Sequence, residues 1–289
     1  KLLQEGEDRF MQKLFEAAPQ DSSFYITYLE PLFFDTLNAK REESEEDCEI
    51  NSINFGKVPF LNGGLFERED SHPNNLTLDW DIFKRFFETL NNYNFTIIED
   101  DPDFKEIAEA PEMLGRIFEN LLEDNKDKGA FYTPKEIVQY MCQESLIEYL
   151  NTQLGKHIDD EALKNAIRDF VIKQDFVALN DISQRADQYV LEALRDIKVC
   201  DPAIGSGAFP MGILHEIYRM VEYLQEGRDI FLDIWDKEVW DAARVKEDII
   251  QNSIYGVDIE KGAVDIARLR FWLSIIIEEE EPKPLPNLD

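Results

Sequence analysis

The chain of 289 residues is long enough for one large domain or two ordinary ones, and its 44% hydrophobic content is ample for a packed core. No apolar run approaches the roughly 20 residues that a membrane span needs, so we expect no membrane partner. The net charge of −31 argues against a chain that binds DNA by itself, because DNA-binding surfaces neutralise phosphates with lysine and arginine.

The cysteines and histidines show no metal-binding arrangement. The 3 cysteines form no Cys-x-x-Cys pair, and the 3 histidines share no metal-ligand spacing with them. The N-terminus has no signal-peptide pattern, and it lacks an initiating methionine, so we expect further residues upstream. These features predict a cytoplasmic protein without a structural metal.

Residues 1–128 are predicted to form a mainly helical N-terminal region. Stretches such as "FMQKLFEAA" and "DIFKRFFETL" place apolar residues at helical spacing. The segment "AKREESEEDCE" between them is so acidic that we expect a solvated loop. The features that indicate a chemical role begin after this region, so we expect a second domain over residues 129–289.

The stretch "GAFYTPKEIVQYM" predicts the start of a helix. Thr133 is the expected N-cap, Pro134 the first helical residue, and Glu136 the residue that completes a capping box. Phe131 and Tyr132 stand directly before the cap. Two interpretations fit this pattern. The two aromatic side chains would either pack on the helix as a hydrophobic staple or cover one side of a ligand pocket.

The remainder of the chain has the order of a βαβ unit. Residues 151–195 are predicted to be a charged helical connector, followed by a strand in "IKVCD" and a helix over residues 208–224. A second strand, "NSIYGVDIE", is expected to end on Asp258, and "KGAVDIARLRFWLSIII" is expected to form a covered helix. Strands that alternate with helices in this way indicate an α/β fold with a parallel sheet.

The loop "DPAIGSGAFP" after the first strand predicts a nucleotide-type site. Gly205 and Gly207 would let the backbone approach a ligand at the start of a helix. A nicotinamide dinucleotide fits poorly, because position 210 is proline where the fingerprint needs glycine. The acid that should stand at a strand end about 20 residues further on is also absent, since the next acid at a strand end, Asp258, comes 258 − 201 = 57 residues after Asp201.

Asp201 favours a cationic ligand. The repulsion between this carboxylate and a pyrophosphate a few ångströms away would cost on the order of 1 to 4 kcal/mol. A ligand with an ammonium and a sulfonium would instead be attracted to the carboxylate. S-adenosylmethionine is such a ligand; Asp258 would then accept from its ribose hydroxyls and Ile259 would pack on its adenine. The competing interpretation is structural, because Asp-Pro often starts a turn and a lone Gly-x-Gly is a weak signal.

Three motifs in order resemble one enzyme family. "GAFYTP", "VCDPAIGSGAFP" and "IYGVDIEKGAVDIARLRFWLS" are similar to the DNA methyltransferases that modify adenine at N6. The likeness is strongest to the fused restriction–modification (type IIG) enzymes and to the BREX phage-defence methyltransferases, and it covers most of residues 50–289. It implies a class I S-adenosylmethionine-dependent methyltransferase fold, Rossmann-like, truncated after about two strands of its parallel sheet.

The resemblance also assigns roles to residues. It implies motif X at 129–134, motif I at 199–210 and motif II at 254–274, with 151–195 as a helical connector. The cofactor-binding residues that it implies are Phe131, Tyr132 and Thr133 at the methionine end, Asp201, Pro202, Ala203, Gly205 and Gly207 in the motif I loop, and Asp258 at the ribose.

The chain departs from the family in one respect. Members carry an Asn/Asp-Pro-Pro-aromatic tetrapeptide that holds the flipped target base, and no Pro-Pro pair occurs in this sequence. We therefore expect no catalytic residue in this chain, and we expect double-stranded DNA to be bound through a missing C-terminal part. An N-terminal fragment of this kind would be inactive alone.

Two alternatives remain at the level of sequence. Methyltransferases that act on RNA or on protein glutamine share the strand–loop–strand core, so the methyl acceptor is not fixed by the motifs. A module without catalysis that binds the cofactor or a protein partner also fits the acidic composition.

Overall fold

The computed structural model describes residues 10–38, 49–50, 53–54, 68, 76–90, 133–225, 235, 240–278, 286 and 288. Contacts divide the chain into two units, one of Lys1–Ala110 with Glu278–Asp289 and one of Pro111–Ile277. The boundary predicted at residues 128–129 lies outside the described residues.

The first unit is built on an aromatic core. Both amphipathic stretches predicted there are helices, and the ring of Phe15 stacks on Trp80 with their centroids 4.0 Å apart. Phe24 meets Trp80 edge-on at 5.6 Å, which is a favoured aromatic geometry. The described elements are α1 (Phe10–Ala17), two π-helical segments (Tyr25–Leu29 and Pro31–Leu37), the antiparallel pair β1 (Glu49–Ile50) and β2 (Ile53–Asn54), and α2 (Trp80–Leu90).

The described part of the second unit begins with four helices. The range predicted as a helical connector, 151–195, holds the end of the first of these helices and the three that follow it, the last of which ends at Asp196. Leucine, isoleucine and phenylalanine side chains at helical spacing are fully buried between them, so burial of these faces holds the helices together. They are α3 (Lys135–Leu154), α4 (Leu163–Lys173), α5 (Val177–Ile182) and α6 (Ala186–Asp196).

The predicted cap of α3 is wrong by one residue. The helix begins at Lys135, Pro134 occupies the cap position with φ −56° and ψ 142°, and no side chain caps the helix. The Pro134 carbonyl accepts the first helical hydrogen bond from Val138 at 3.1 Å. The reason is that the proline ring fixes φ but leaves ψ free, so proline can precede a helix as well as begin one.

The predicted βαβ order is confirmed. The two strands pair in parallel, with Val199 opposite Ile254 and Asp201 opposite Gly256. The second strand ends two residues before Asp258, so this carboxylate lies just beyond the strand. The elements are β3 (Val199–Asp201), α7 (Ala208–Gln225), α8 (Ala242–Ser253), β4 (Ile254–Gly256) and α9 (Lys261–Ile276).

The described part of the chain is therefore mostly helical, with one small parallel sheet in the second unit. The covered position predicted for the last helix is confirmed, because Phe271, Trp272 and Ile275 of α9 are buried. No helix among the described residues is long and apolar enough to cross a membrane.

Candidate functional site

The segments that follow β3 and β4 lie side by side at one edge of the sheet. The Val257 N–H donates to the Asp201 carbonyl oxygen at 2.9 Å, and the Ile204 N–H donates to the Val257 carbonyl oxygen at 3.0 Å. These bonds continue the strand pairing beyond the last paired residues. The motif I loop and the residues around Asp258, which are far apart in sequence, therefore form one surface.

The glycine loop has a backbone that other residues do not readily adopt. Gly205 has φ +52° and Gly207 has φ +84°, both in the left-handed region. Gly207 also approaches α9 so closely that an added Cβ would lie 3.0 Å from the Cβ of Ala267. The two glycines thus serve a turn and a close approach to α9, and α7 begins directly after them at Ala208. The sequence had predicted an approach of the loop backbone to a ligand, and this stays a prediction.

Asp201 starts the loop with a side-chain hydrogen bond. Its Oδ1 accepts from the Ala203 N–H at 3.0 Å, which forms a turn around Pro202. Pro202 and Ala203 are exposed, whereas Asp201 is half-buried. An ionised carboxylate accepts about four hydrogen bonds, so Asp201 keeps capacity for a ligand donor.

The Asp258 carboxylate accepts hydrogen bonds from two backbone N–H groups, a structural role that the sequence did not predict. Its Oδ2 accepts from the Gly205 N–H at 2.9 Å, and its Oδ1 accepts from the Glu260 N–H at 2.9 Å. The carboxylate thereby joins the segment after β4 to the loop after β3. Because each oxygen has a second lone pair, these two bonds are compatible with a ribose ligand at the same group.

Exposed apolar side chains lie close to Asp258 along the chain. Tyr255, Val257 and Ile259 alternate along the chain and are all exposed, with Ile259 at 96% of its full accessible surface. The side chain of Ile259 is therefore available to a flat apolar group such as a purine ring.

Of the three residues predicted from the "AFYT" stretch, only Thr133 is described. It is half-buried and precedes α3, while Phe131 and Tyr132 lie outside the described residues. The helix that follows Thr133 packs along α7, where a Cβ added at Gly212 would lie 2.6 Å from a Val138 methyl group. The structure therefore brings α3 against the helix that begins at the glycine loop.

Two buried charged residues near the site were not predicted. Arg270 of α9 donates from Nη1 to the Ser206 carbonyl oxygen at 2.8 Å, inside the glycine loop. Glu216 of α7 is buried and accepts from Gln143 of α3 at 3.2 Å. The signal in the sequence was a charge within an otherwise apolar helix face, as in "RLRFWLSII" and "ILHEIYRM".

The chemistry of this edge fits S-adenosylmethionine. Two carboxylates flank a glycine loop that leads into the N-terminus of α7, and an exposed apolar side chain stands beside them. The carboxylates suit cationic and hydroxyl groups, and the apolar side chain suits an adenine. Within the described ranges, no group of three or more histidine, cysteine or acidic residues is arranged to hold a metal ion.

Comparisons with known proteins find no matching family model and no matching solved structure. Among curated proteins, one from Methanocaldococcus jannaschii is 34% identical over an alignment of 268 residues, and the match covers 88% of this chain. It is named "Putative type II restriction enzyme and methyltransferase". The chain spans about a fifth of that relative, because the match covers 21% of its length. Most of this chain is therefore similar to one segment of a protein named as a restriction enzyme and methyltransferase.

Proposed function

We propose that this chain is part of an S-adenosylmethionine-dependent DNA methyltransferase of a restriction–modification or phage-defence system. The observation that carries the proposal is the 34% identity over 88% of the chain to the relative named above. The parallel strands support it, because nucleotide-type ligands bind at the carboxyl ends of such strands. In this proposal residues 129–289 form the first part of a Rossmann-like methyltransferase domain in a cytoplasmic protein.

We assign the cofactor to the edge of the sheet. S-adenosylmethionine supplies an activated methyl group when bound. The Asp201 carboxylate attracts its cationic methionine end, together with Phe131, Tyr132 and Thr133. Asp258 accepts from the ribose hydroxyls while it holds the loop, and Ile259 covers the adenine.

We assign the methyl acceptor and the DNA to other parts of the protein. The proposed acceptor is N6 of an adenine flipped out of double-stranded DNA, held by an Asn/Asp-Pro-Pro-aromatic motif that this sequence does not contain. A net charge of −31 repels phosphates, so the DNA contacts belong to a C-terminal part. The task of residues 129–289 is then to hold the methyl donor in position.

Calorimetry with two ligands tests the cofactor assignment. S-adenosylhomocysteine lacks the methyl group and the sulfonium charge, so wild-type chain should bind S-adenosylmethionine more tightly. Asp201→Asn should reduce the ratio of the affinities for S-adenosylmethionine and S-adenosylhomocysteine by about tenfold, because the attraction between the Asp201 carboxylate and the sulfonium is lost. Asp258→Asn should weaken both ligands alike, because the ribose is common to them.

The control variant is Asp159→Asn, which makes the same chemical change at an exposed carboxylate in the second unit. It should bind both ligands as the wild type does. Titration with NAD provides the competing outcome. Binding of NAD in place of S-adenosylmethionine, or heats that are unchanged by Asp258→Asn, would overturn the assignment.

A further inference from the structure

The glycine loop rests on one face of α9. Gly207 lies against Ala267, and one turn further along the same helix Arg270 donates to the Ser206 carbonyl oxygen. Positions three apart lie on the same side of a helix, so both contacts come from a single face. The helix after β4 therefore supports the loop after β3.

Arg270 and the loop carbonyl are both withdrawn from water. Arg270 and Ser206 are each only 4% exposed. A guanidinium is costly to bury, and a hydrogen bond from a charged donor to a carbonyl is stronger than one between neutral groups. The bond between Arg270 and Ser206 is therefore a specific feature of the loop, and a neutral side chain of similar size would not reproduce it.

The loop is held at two peptide groups, Ile204–Gly205 and Ser206–Gly207, which are separated by one other peptide group. Asp258 accepts from the N–H of Gly205, and Arg270 donates to the carbonyl of Ser206. The peptide group between Gly205 and Ser206 therefore lies between two hydrogen-bonded peptide groups. Rotation of this peptide group would change the surface that the loop offers to a ligand.

We propose that Arg270 is a positioning residue, which keeps the glycine loop in the shape that binds the cofactor. It acts through the Ser206 carbonyl and does not touch the ligand. The part of this inference that concerns the cofactor rests on the proposed function, while the part that concerns the shape of the loop does not.

Hydrogen exchange in the ligand-free chain tests the inference. The reporters are the Gly205 N–H, bonded to Asp258, and the Gly207 N–H, bonded to the Ile204 carbonyl at 2.9 Å. In Arg270→Met these amides should exchange about tenfold faster or more, because a hydrogen bond to a charged group is lost. The Ile217 amide, within α7, should keep its rate.

Two further variants sharpen the test. Arg270→Lys should restore much of the protection, because an ammonium can still donate to the carbonyl. Arg268→Met makes the same change as Arg270→Met at a more exposed position of α9, and it should leave the loop amides unchanged. Affinity for S-adenosylmethionine should follow loop protection across the series.

The outcomes separate this inference from the proposed function. If wild-type chain binds no S-adenosylmethionine, the proposed function fails while the exchange result still decides the role of Arg270. Equal exchange of the loop amides in wild type and Arg270→Met would overturn the inference. Faster exchange of Ile217 together with the loop would also overturn it, because Arg270 would then be a general core residue.

Discussion

Asp258 accepts a hydrogen bond from the backbone N–H of Gly205 at 2.9 Å, although the two residues are 53 positions apart. The carboxylate after one strand thereby fixes the loop after the neighbouring strand. The residue assigned to the ribose consequently also shapes the loop.

Asp258→Ala should therefore lower stability even without a ligand. Two backbone amides, of Gly205 and Glu260, lose their acceptor. The expected loss in free energy of unfolding is about 1–3 kcal/mol, measured by urea denaturation. Asp159→Ala, at an exposed carboxylate, is the control and should change stability by much less. Equal midpoints for the two variants would contradict the role of Asp258 in the loop.

The two loop glycines should differ in their tolerance of alanine. Both have positive φ, but a Cβ at Gly205 would have its nearest neighbour at 4.0 Å, whereas one at Gly207 would meet Ala267 at 3.0 Å. Gly205→Ala should cost about 1 kcal/mol from backbone strain alone. Gly207→Ala should cost about 1–3 kcal/mol more, because α9 must also shift. Thermal denaturation of both variants measures the difference, and a larger loss at Gly205 would contradict the close approach.

Glu216 should be a strong determinant of the stability of the second unit. Its side chain is 2% exposed and pairs with Arg219 at 2.6 Å, and it accepts from Gln139 at 3.4 Å and from Gln143 at 3.2 Å. Glu216→Ala leaves these donors without their acceptor, which should cost about 3–5 kcal/mol in urea denaturation.

The matched control for Glu216 is Glu148→Ala, which breaks the exposed pair with Lys164 and should cost less than about 1 kcal/mol. Glu216→Gln keeps an acceptor oxygen, so its loss in stability should lie between those of Glu216→Ala and Glu148→Ala. Comparable losses for Glu216→Ala and Glu148→Ala would show that the buried cluster contributes little.

Stability should fall in alkaline solution because of Cys142. Burial, with a smaller contribution from the charge of Glu216, raises the pKa of its thiol from about 9 to about 12. The unfolded chain ionises this thiol near pH 9 while the folded chain keeps it neutral. The folded state therefore loses stability as the pH rises from about 9 to about 12.

Cys142→Ala should reduce this alkaline slope, whereas Cys200→Ala, at an exposed thiol, should not. Burial also raises the pKa of Tyr149, with a further contribution from Asp196, but this residue is common to both variants and cancels in the comparison. Urea denaturation at pH 8, 9 and 10 gives the slopes. Parallel slopes for wild type and Cys142→Ala would contradict the prediction.

The chain alone should transfer no methyl group to DNA. The proposed target-base motif is absent from its sequence, so S-adenosylmethionine would bind without an acceptor beside it. A radiolabelled methyl-transfer assay on adenine-containing duplex DNA, with a known adenine methyltransferase as positive control, measures this. Turnover by the chain would show that its own residues hold the target base.

Much of the second unit could be predicted because its signals are local. Helical spacing predicted α7 and α9, and strand-like stretches before Asp201 and Asp258 predicted the parallel pair. The loop was predicted from its two glycines, and the structure adds that both have positive φ, which few other residues adopt. The cap of α3 was predicted one residue early, because Pro134 fits both positions by its φ.

The order of the elements, the glycine loop and a carboxylate at or just beyond the end of each strand could thus be read from the amino-acid sequence. The hydrogen bonds of Asp258 to Gly205 and of Arg270 to Ser206, and the burial of Glu216 between α3 and α7, became known only from the folded chain. A helix or a turn depends on neighbours along the chain. A hydrogen-bond partner 53 or 64 residues away depends on how the completed elements pack.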